Sequence, residues 1–220
     1  MYMKNRLKLL ALAFGFTFAA HAQSAEDATL KPIAGNKTIE VGLSLNGGIN
    51  GQQVRFRKFK GNELAYRYGA SVYYDYDKIT EEANSSTFSL SFAPGMEKHF
   101  AGTKRLSPYI GFTVPLGVGR SHFEDATVEV KGATSTSPGN CNRNYLSARL
   151  NGLAGVDVYI IKNLYVGFEI GLGLGYTKYG DVEVNYKQDD LGINTHTIDG
   201  YHGFNFNNFA HSDIRIGFAF

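Results

Sequence analysis

The stretch Leu164–Gly175, LYVGFEIGLGLG, places an apolar side chain at every second position from Leu164 to Leu174. The intervening positions carry Tyr165, Glu169 and four glycines. A period of two indicates a β-strand, because successive side chains point to opposite faces of a sheet. Strands of globular proteins average about five to six residues, whereas a tilted strand needs about 9–11 residues to cross a bilayer. The length and pattern of this stretch therefore predict a membrane-spanning β-strand.

Seven further segments on either side of this stretch show the same alternation. They lie at about residues 38–46, 52–59, 66–76, 88–97, 109–118, 146–158 and 213–220. The second segment is the weakest, because only Val54 and Phe56 mark its apolar face. Eight strands predict an all-β fold, an eight-stranded antiparallel up-and-down transmembrane β-barrel. A closed barrel satisfies every backbone donor and acceptor within lipid.

The predicted connections alternate in length. The short ones are centred on Gly61, Ala101 and Lys162. The long, polar ones comprise residues 77–86, 121–144 and 185–209. Short periplasmic turns and longer external loops are typical of outer-membrane barrels. We therefore expect three long external loops, while the pattern leaves a further external loop near residues 47–51 poorly defined.

The face of the predicted strands that lies opposite the apolar face carries charged residues. Its charged members are Glu40, Arg67, Asp75, Glu97, Arg149, Asp157, Glu169, Asp213 and Arg215. The opposite face is nearly free of charge, as lipid contact requires, since an Arg or Lys at the bilayer midplane costs roughly 2–4 kcal/mol. We therefore predict a lumen in which these groups pair. Glycines such as Gly167 and Gly173 would leave room for the long side chains.

Alternation alone also fits a soluble, lipocalin-like barrel, which points its apolar residues inward. The position of the charges favours the membrane barrel, because the interior of an eight-stranded barrel is just filled by side chains. The same argument favours a packed polar plug over an open channel.

The N-terminal segment, residues 1–22, has the parts of a secretory signal peptide. A basic start is followed by an apolar run that ends at Ala20, and Ala20-His21-Ala22 forms an A-x-A site. We predict cleavage between Ala22 and Gln23. A membrane anchor is the alternative, but the apolar run is shorter than the about 20 residues that a spanning helix needs.

The last strand ends in a regular apolar series. Its members, spaced by two, are Ile214, Ile216, Phe218 and Phe220. This ending resembles the C-terminal signal that the outer-membrane barrel assembly machinery recognises, so we expect that machinery to be a partner.

Two turn–strand motifs accompany this ending, GNELA at 61–65 and KNLYVG at 162–167. Together they make the chain resemble the outer-membrane β-barrel family of small eight-stranded proteins that is common in Bacteroidetes. The resemblance covers Thr38–Phe220, which sets the barrel domain at 38–220 after a periplasmic lead-in at 23–37. It implies the fold and a bacterial outer-membrane location, with membrane lipid as surroundings, and it implies no single activity.

No motif marks a catalytic, cofactor or metal site. His122 has Ser121, Glu124 and Asp125 nearby, but their spacing matches no known nucleophile–base arrangement. The spacing of the later histidines fits no established metal site; these are His196, His202 and His211. We therefore expect no enzyme, no cofactor and no metal. Aromatic residues of the last loop could form a binding surface or pack over the barrel mouth; they are Tyr201, Phe204, Phe206 and Phe209.

The net charge of +2 gives no reason to expect a nucleic-acid partner. The single Cys141 excludes an intramolecular disulfide. The sequence favours a non-enzymatic surface barrel with a structural role or with an extracellular partner bound through its loops. A small passive pore and a lipid-modifying enzyme are the alternatives.

Overall fold

The computed structural model describes residues 30–44, 48–137, 141–187 and 195–220, and it does not describe the side chains of 43–53 and 208–213. The predicted signal peptide and its cleavage point between Ala22 and Gln23 lie outside the described residues. Strands are the regular structure of the described chain. They are β1 Lys37–Ser44, β2 Gly48–Phe59, β3 Leu64–Lys78, β4 Asn84–His99, β5 Leu106–Thr113, β6 Leu116–Glu124, β7 Val128–Lys131, β8 Tyr145–Ile161, β9 Leu164–Tyr179, β10 Val182–Tyr186, β11 Thr195–Ile198 and β12 His202–Ala219. None of the described residues forms a helix long and apolar enough to cross a bilayer.

Eight antiparallel staves close into a barrel; a stave is one strand of the ring, or two consecutive strands that together occupy one position in it. Around the ring they are β1, β2, β3, β4, the pair β5 and β6, β8, β9 and β12, and β1 closes the ring by pairing with β12. Strands β5 and β6 are two halves of one stave, because both pair with β4 and with β8. The stave is interrupted next to Pro115, which has no N–H to give to the ladder. The predicted eight-stranded antiparallel barrel is confirmed.

The apolar residues lie on the outside of the barrel. On β9, Ile170 and Leu172 are 61% and 56% exposed, whereas Glu169, which precedes Ile170 and points to the opposite face, is 3% exposed. The lipocalin-like alternative, with apolar residues inside, is therefore wrong. The outward apolar band is the surface that lipid covers in a transmembrane barrel.

The first and last strands of the ring, β1 and β12, close the barrel, and residues 37 and 220 meet at the rim that carries the short turns. Backbone hydrogen bonds join Lys37 and Phe220 in both directions, at 2.9 and 2.8 Å. The terminal residues of the barrel are thus fastened to each other by the ladder between β1 and β12. The opposite end carries the remaining connections, and we call it the loop end.

The strands extend further toward the loop end than the alternation predicted. Strands β3 and β4 stay paired as far as Lys78 and Asn84, so the loop expected at 77–86 is wrong and shrinks to residues 79–83. The reason is cross-strand pairing, such as Tyr74 opposite Phe88, which continues the ladder.

The other two long connections contain further β-structure. The loop-end half of β6 pairs with β7, β7 pairs with β10, and β10 pairs with β11. We call these four strands the outer sheet. Its own buried apolar cluster comprises Val128, Val130, Ala133, Val182 and Val184, with Phe123, Cys141 and Ile198 packed against it. The sequence analysis placed Val128 and Val130 in a polar loop and assigned Val182 and Val184 to no strand. These segments fold as strands because they pair with each other and bury these valines together.

The aromatic residues assigned to the last loop lie mainly on β12. Phe204 and Phe206 are 81% and 64% exposed on its outward face, and the ring of Phe204 packs at 5.0 Å from that of Tyr176. Tyr201 stacks on Tyr179 with ring centroids 4.5 Å apart. Phe204 and Phe206 therefore lie on a strand and not in a loop, and the predicted packing over the mouth is wrong for them, whereas a binding surface of these residues stays a prediction. The side chain of Phe209 lies outside the described part.

Candidate functional site

Polar side chains from all eight staves meet inside the barrel. Each stave contributes at least one side chain that is at most 5% exposed. Taken around the ring, these are Glu40, Arg57, Arg67, Glu97, Tyr109, Asp157, Glu169 and Arg215. Alternation along each strand turns these positions inward, opposite the lipid-facing residues. We call this set, together with Arg55, the lumen network.

Arg57 lies at the centre of the lumen network and is fully buried. Its Nη1 contacts Glu97 Oε2 at 2.9 Å, and its Nη2 contacts Glu40 Oε1 at 2.7 Å and Asp157 Oδ2 at 2.8 Å. The rings of Phe59, Tyr109 and Tyr165 surround the guanidinium, with centroids 5.6, 5.9 and 5.1 Å from its Cζ. One guanidinium thus joins carboxylates from three staves, and the aromatic rings around it exclude water.

Glu169 forms the second centre of the network. Its Oε2 lies 2.8 Å from Arg67 Nη1 and 3.3 Å from Arg55 Nη1. The hydroxyl of Tyr109 donates to the same oxygen at 3.0 Å, and Arg215 Nη2 donates to that hydroxyl at 2.6 Å. Strands on opposite sides of the barrel are therefore linked through a single carboxylate.

The formal charges of the lumen network cancel. Its four arginines, at positions 55, 57, 67 and 215, face four carboxylates, at positions 40, 97, 157 and 169. Removing one partner of a buried pair costs about 3–5 kcal/mol, because it leaves a buried charge without compensation. The network therefore holds its members in place more strongly than exposed ion pairs would.

Glycines make room for these side chains. A Cβ at Gly167 would lie 2.9 Å from both Arg215 Nη2 and Asp157 Oδ1, and a Cβ at Gly155 would lie 2.4 Å from Tyr109 Cζ. The glycines that alternate with apolar residues on β8 and β9 thus serve the packing of the lumen.

The structure brings together six of the nine charged residues predicted for the lumen. These are Glu40, Arg67, Glu97, Asp157, Glu169 and Arg215. Arg149 also faces the lumen, but nearer the loop end. Asp75 is exposed, and its assignment to the network is wrong because β3 carries it beyond the charged layer. The side chain of Asp213 lies outside the description.

The sequence analysis missed several members of the network. Arg55 and Arg57 alternate with Val54 and Phe56 on β2, so the same period of two would have found them. His99 was also missed; its Nε2 lies 3.2 Å from Glu97 Oε2, and its Nδ1 lies 3.0 Å from Ser107 Oγ.

A polar cavity of about 550 Å³ lies on the loop-end side of the lumen network. Arg55, Arg67 and Glu169 form its floor. Its wall includes Arg149 and Asn151 on β8. The lumen therefore consists of a densely paired layer nearer the chain ends and an open chamber nearer the loops.

The residues weighed for catalysis do not assemble. Ser121 and His122 are neighbours on β6, so their side chains point to opposite faces and cannot form a nucleophile–base pair. His122 Nε2 lies 3.9 Å from Glu124 Oε2. His196 lies on β11 and His202 at the start of β12, whereas the side chain of His211 is outside the description. Among the described residues, no three metal-ligating side chains come together.

The C-terminal series lies on the outward face of β12. Ile216, Phe218 and Phe220 are 37%, 36% and 56% exposed, and Ile214 is half-buried. Their recognition by the assembly machinery stays a prediction.

The closed ring, the apolar exterior and the charged interior define an outer-membrane type of β-barrel. Residues 38–220 match the family OmpA_like, described as the "Putative OmpA-OmpF-like porin family". The chain belongs to this family, and the resemblance to outer-membrane barrels is confirmed. Membership in a porin-like family implies the bacterial outer membrane. A search of curated protein sequences returned no match.

Proposed function

We propose that this protein is a non-enzymatic outer-membrane barrel whose lumen is closed by the lumen network. The supporting observation is that every stave contributes a buried polar side chain to one charge-balanced layer. Separating one buried pair costs about 3–5 kcal/mol. At about 1.4 kcal/mol per factor of ten, a state with one such pair open is populated below about 1%. The barrel then acts as a membrane scaffold that carries the outer sheet.

A small passive pore is the second candidate, and the family description as porin-like favours it. Liposome swelling separates the two. Vesicles that contain the refolded protein are diluted into an isotonic pentose solution, with protein-free vesicles and vesicles bearing a general diffusion porin as controls. The closed lumen requires swelling at the protein-free rate. Swelling at a rate that rises with the protein content would replace this proposal by the pore.

The role of the outer sheet is contact with an extracellular partner. This sheet has its own apolar cluster, in which Val130 and Val182 are fully buried, so it presents a folded surface beyond the barrel. Crosslinking on intact cells tests this role against a variant in which short turns replace 125–131 and 182–198. A specific partner should crosslink to the native chain alone. An identical set of crosslinked proteins for both chains would refute the role.

Location and processing complete the proposal. We expect the mature chain to begin at Gln23, to fractionate with outer membranes and to migrate differently on gels before and after heating. Recovery in the soluble fraction would contradict the proposed location. If His122→Ala abolished a lipid-modifying activity in vesicles, the non-enzymatic assignment would be wrong.

A further inference from the structure

The chamber above the lumen network carries a cation that the network does not neutralise. The four arginines of the network are matched by its four carboxylates, and Arg149 is a fifth guanidinium at the wall of the chamber. Among the described side chains, no carboxylate forms an ion pair with Arg149 at an N···O distance of 4.0 Å or less. Within the described part of the chain, the chamber therefore has an uncompensated positive charge, next to a floor that contains Arg55 and Arg67.

Two buried polar atoms in the chamber wall also lack a hydrogen-bond partner within the described structure. They are Arg149 Nε and Asn151 Oδ1. The amide of Asn207, oriented to suit its neighbours, accepts from Arg149 Nη2 at 3.1 Å. A buried donor without a partner costs about 1–3 kcal/mol, so Arg149 retains donor capacity for another group.

The surrounding backbone keeps space for this side chain. On β9, a Cβ at Gly175 would lie 3.2 Å from Arg149 Cγ, and a Cβ at Gly173 would lie 2.3 Å from Asn151 Oδ1. Residues 149 and 151 pair in register with these glycines. The stem of Arg149 is therefore packed against β9.

We infer that the chamber binds a small solute that bears a carboxylate or a phosphate group. Arg149 is the anchor, because the planar guanidinium fork matches the two oxygens of such a group. Side chains of Ser91, Thr113, Tyr145 and Ser147 line the same chamber and offer hydroxyls to the body of the solute. A volume of about 550 Å³ lies within the range of small-molecule sites, about 300–1,000 Å³.

The geometry also fixes the side from which this solute arrives. The ion pairs among Arg55, Arg67 and Glu169 form the floor, so the solute enters from the loop end. The barrel wall separates Arg149 from the lipid, which favours a dissolved anion over a lipid headgroup. This binding requires no opening of the lumen network and goes beyond the scaffold role proposed above.

The test is a binding titration of the refolded protein in a maltoside detergent, which carries no phosphate. The probes are ribose 5-phosphate, gluconate and the neutral sugar ribose, followed by calorimetry or by NMR. Arg149→Gln removes the fork, and Arg120→Gln is the matched control, because Arg120 is exposed on the outward face of β6. Heat-modifiable gel mobility verifies that each variant is folded.

We expect at least one of the two anions to bind the native protein. The Arg120→Gln variant should bind that anion with the same affinity as the native protein. Arg149→Gln should weaken that binding by at least about tenfold, and ribose should not bind. The inference is overturned if neither anion binds saturably at about 10 mM, ten times a Kd of about 1 mM. Equal affinity in Arg149→Gln, or equal binding of ribose, would overturn it as well. Loss of binding in Arg120→Gln would assign the anion to the outer rim and would also contradict the inference.

Discussion

Replacing Arg57 with methionine removes the guanidinium that holds three buried carboxylates. In the native barrel, Glu40, Glu97 and Asp157 each have an oxygen 2.7–2.9 Å from Arg57. Methionine fills a similar volume without the charge, so the variant isolates the electrostatic contribution. Glu40 keeps its contacts with Arg55 and Arg215, and Glu97 keeps its contact with Arg67, whereas Asp157 loses its described ion-pair partner. Breaking a buried pair costs about 3–5 kcal/mol, so Arg57→Met should cost an amount within this range.

The assay is urea unfolding of the refolded barrel in detergent, followed by circular dichroism because the chain has no Trp. Arg120→Met is the control; it removes a charge from the outward face of β6, so it should not lower the stability of the barrel. A second substitution, Asp157→Asn, should recover at least about 1 kcal/mol in the Arg57→Met background, because the stranded carboxylate then becomes neutral. A loss below about 1 kcal/mol for Arg57→Met would refute the claim that the lumen network stabilises the barrel.

Three further predictions concern the packing, the outer sheet and the lipid face. Gly155→Ala should cost about 1–3 kcal/mol, since its Cβ would meet Tyr109, whereas Gly152→Ala, with nothing within 4 Å, should be nearly neutral in the same urea titration. Hydrogen bonds from the backbone N–H and the hydroxyl of Thr127 hold the pKa of Asp125 below its usual value. The turn between β6 and β7 should therefore keep its hydrogen-exchange protection at pH values above about 3.9, the ordinary pKa of Asp. It should lose that protection as the pH falls through the lowered pKa. Asp125→Ala should accelerate amide exchange at Val128 even at neutral pH, because the backbone N–H of Val128 donates to Asp125 Oδ1. Unchanged exchange at Val128 in this variant would refute the stabilising role of Asp125 in the turn. Leu172→Arg should cost roughly 2–4 kcal/mol in vesicles, whereas Tyr186→Arg on β10 should be tolerated; equal effects would contradict the assigned lipid face.

The barrel could be predicted from sequence because lipid imposes one rule on every stave. Positions such as Ile170 and Leu172 must stay apolar, and the alternate positions are free to carry charge. The fifth stave shows the limit of this signal, because the alternation from 109 to 118 continues past Pro115 although the ladder is divided there. Alternation reports on the faces of a strand and not on the continuity of its hydrogen bonds.

The partners inside the lumen were only partly predictable. A period of two identifies which side chains point inward, but the height of each along the barrel depends on register, which the sequence does not show. Asp75 was misplaced for this reason. Arg57 was overlooked because its strand has the weakest apolar face, although it makes the most central contacts.

The alternation of apolar and polar residues did not predict the outer sheet. Its strands β7 and β11 are four residues long, too short for a clear period, and β7 and β10 become paired only after residues 128–131 and 182–186 meet in space. Val128 and Val130 were therefore assigned to a polar loop, and Val182 and Val184 were assigned to no strand. Long-range pairing, and not local propensity, decides such segments.

Single-channel recording in a planar bilayer tests the closed lumen most directly. The account predicts that the refolded barrel inserts without steady openings, because the charge-balanced layer that contains Arg57 and Glu169 spans the interior. Arg57→Met, where it remains folded, should show brief openings, because Asp157 loses the guanidinium that joins it to Glu40 and Glu97. Large, steady openings of the native protein would contradict the account and would make the chain a pore.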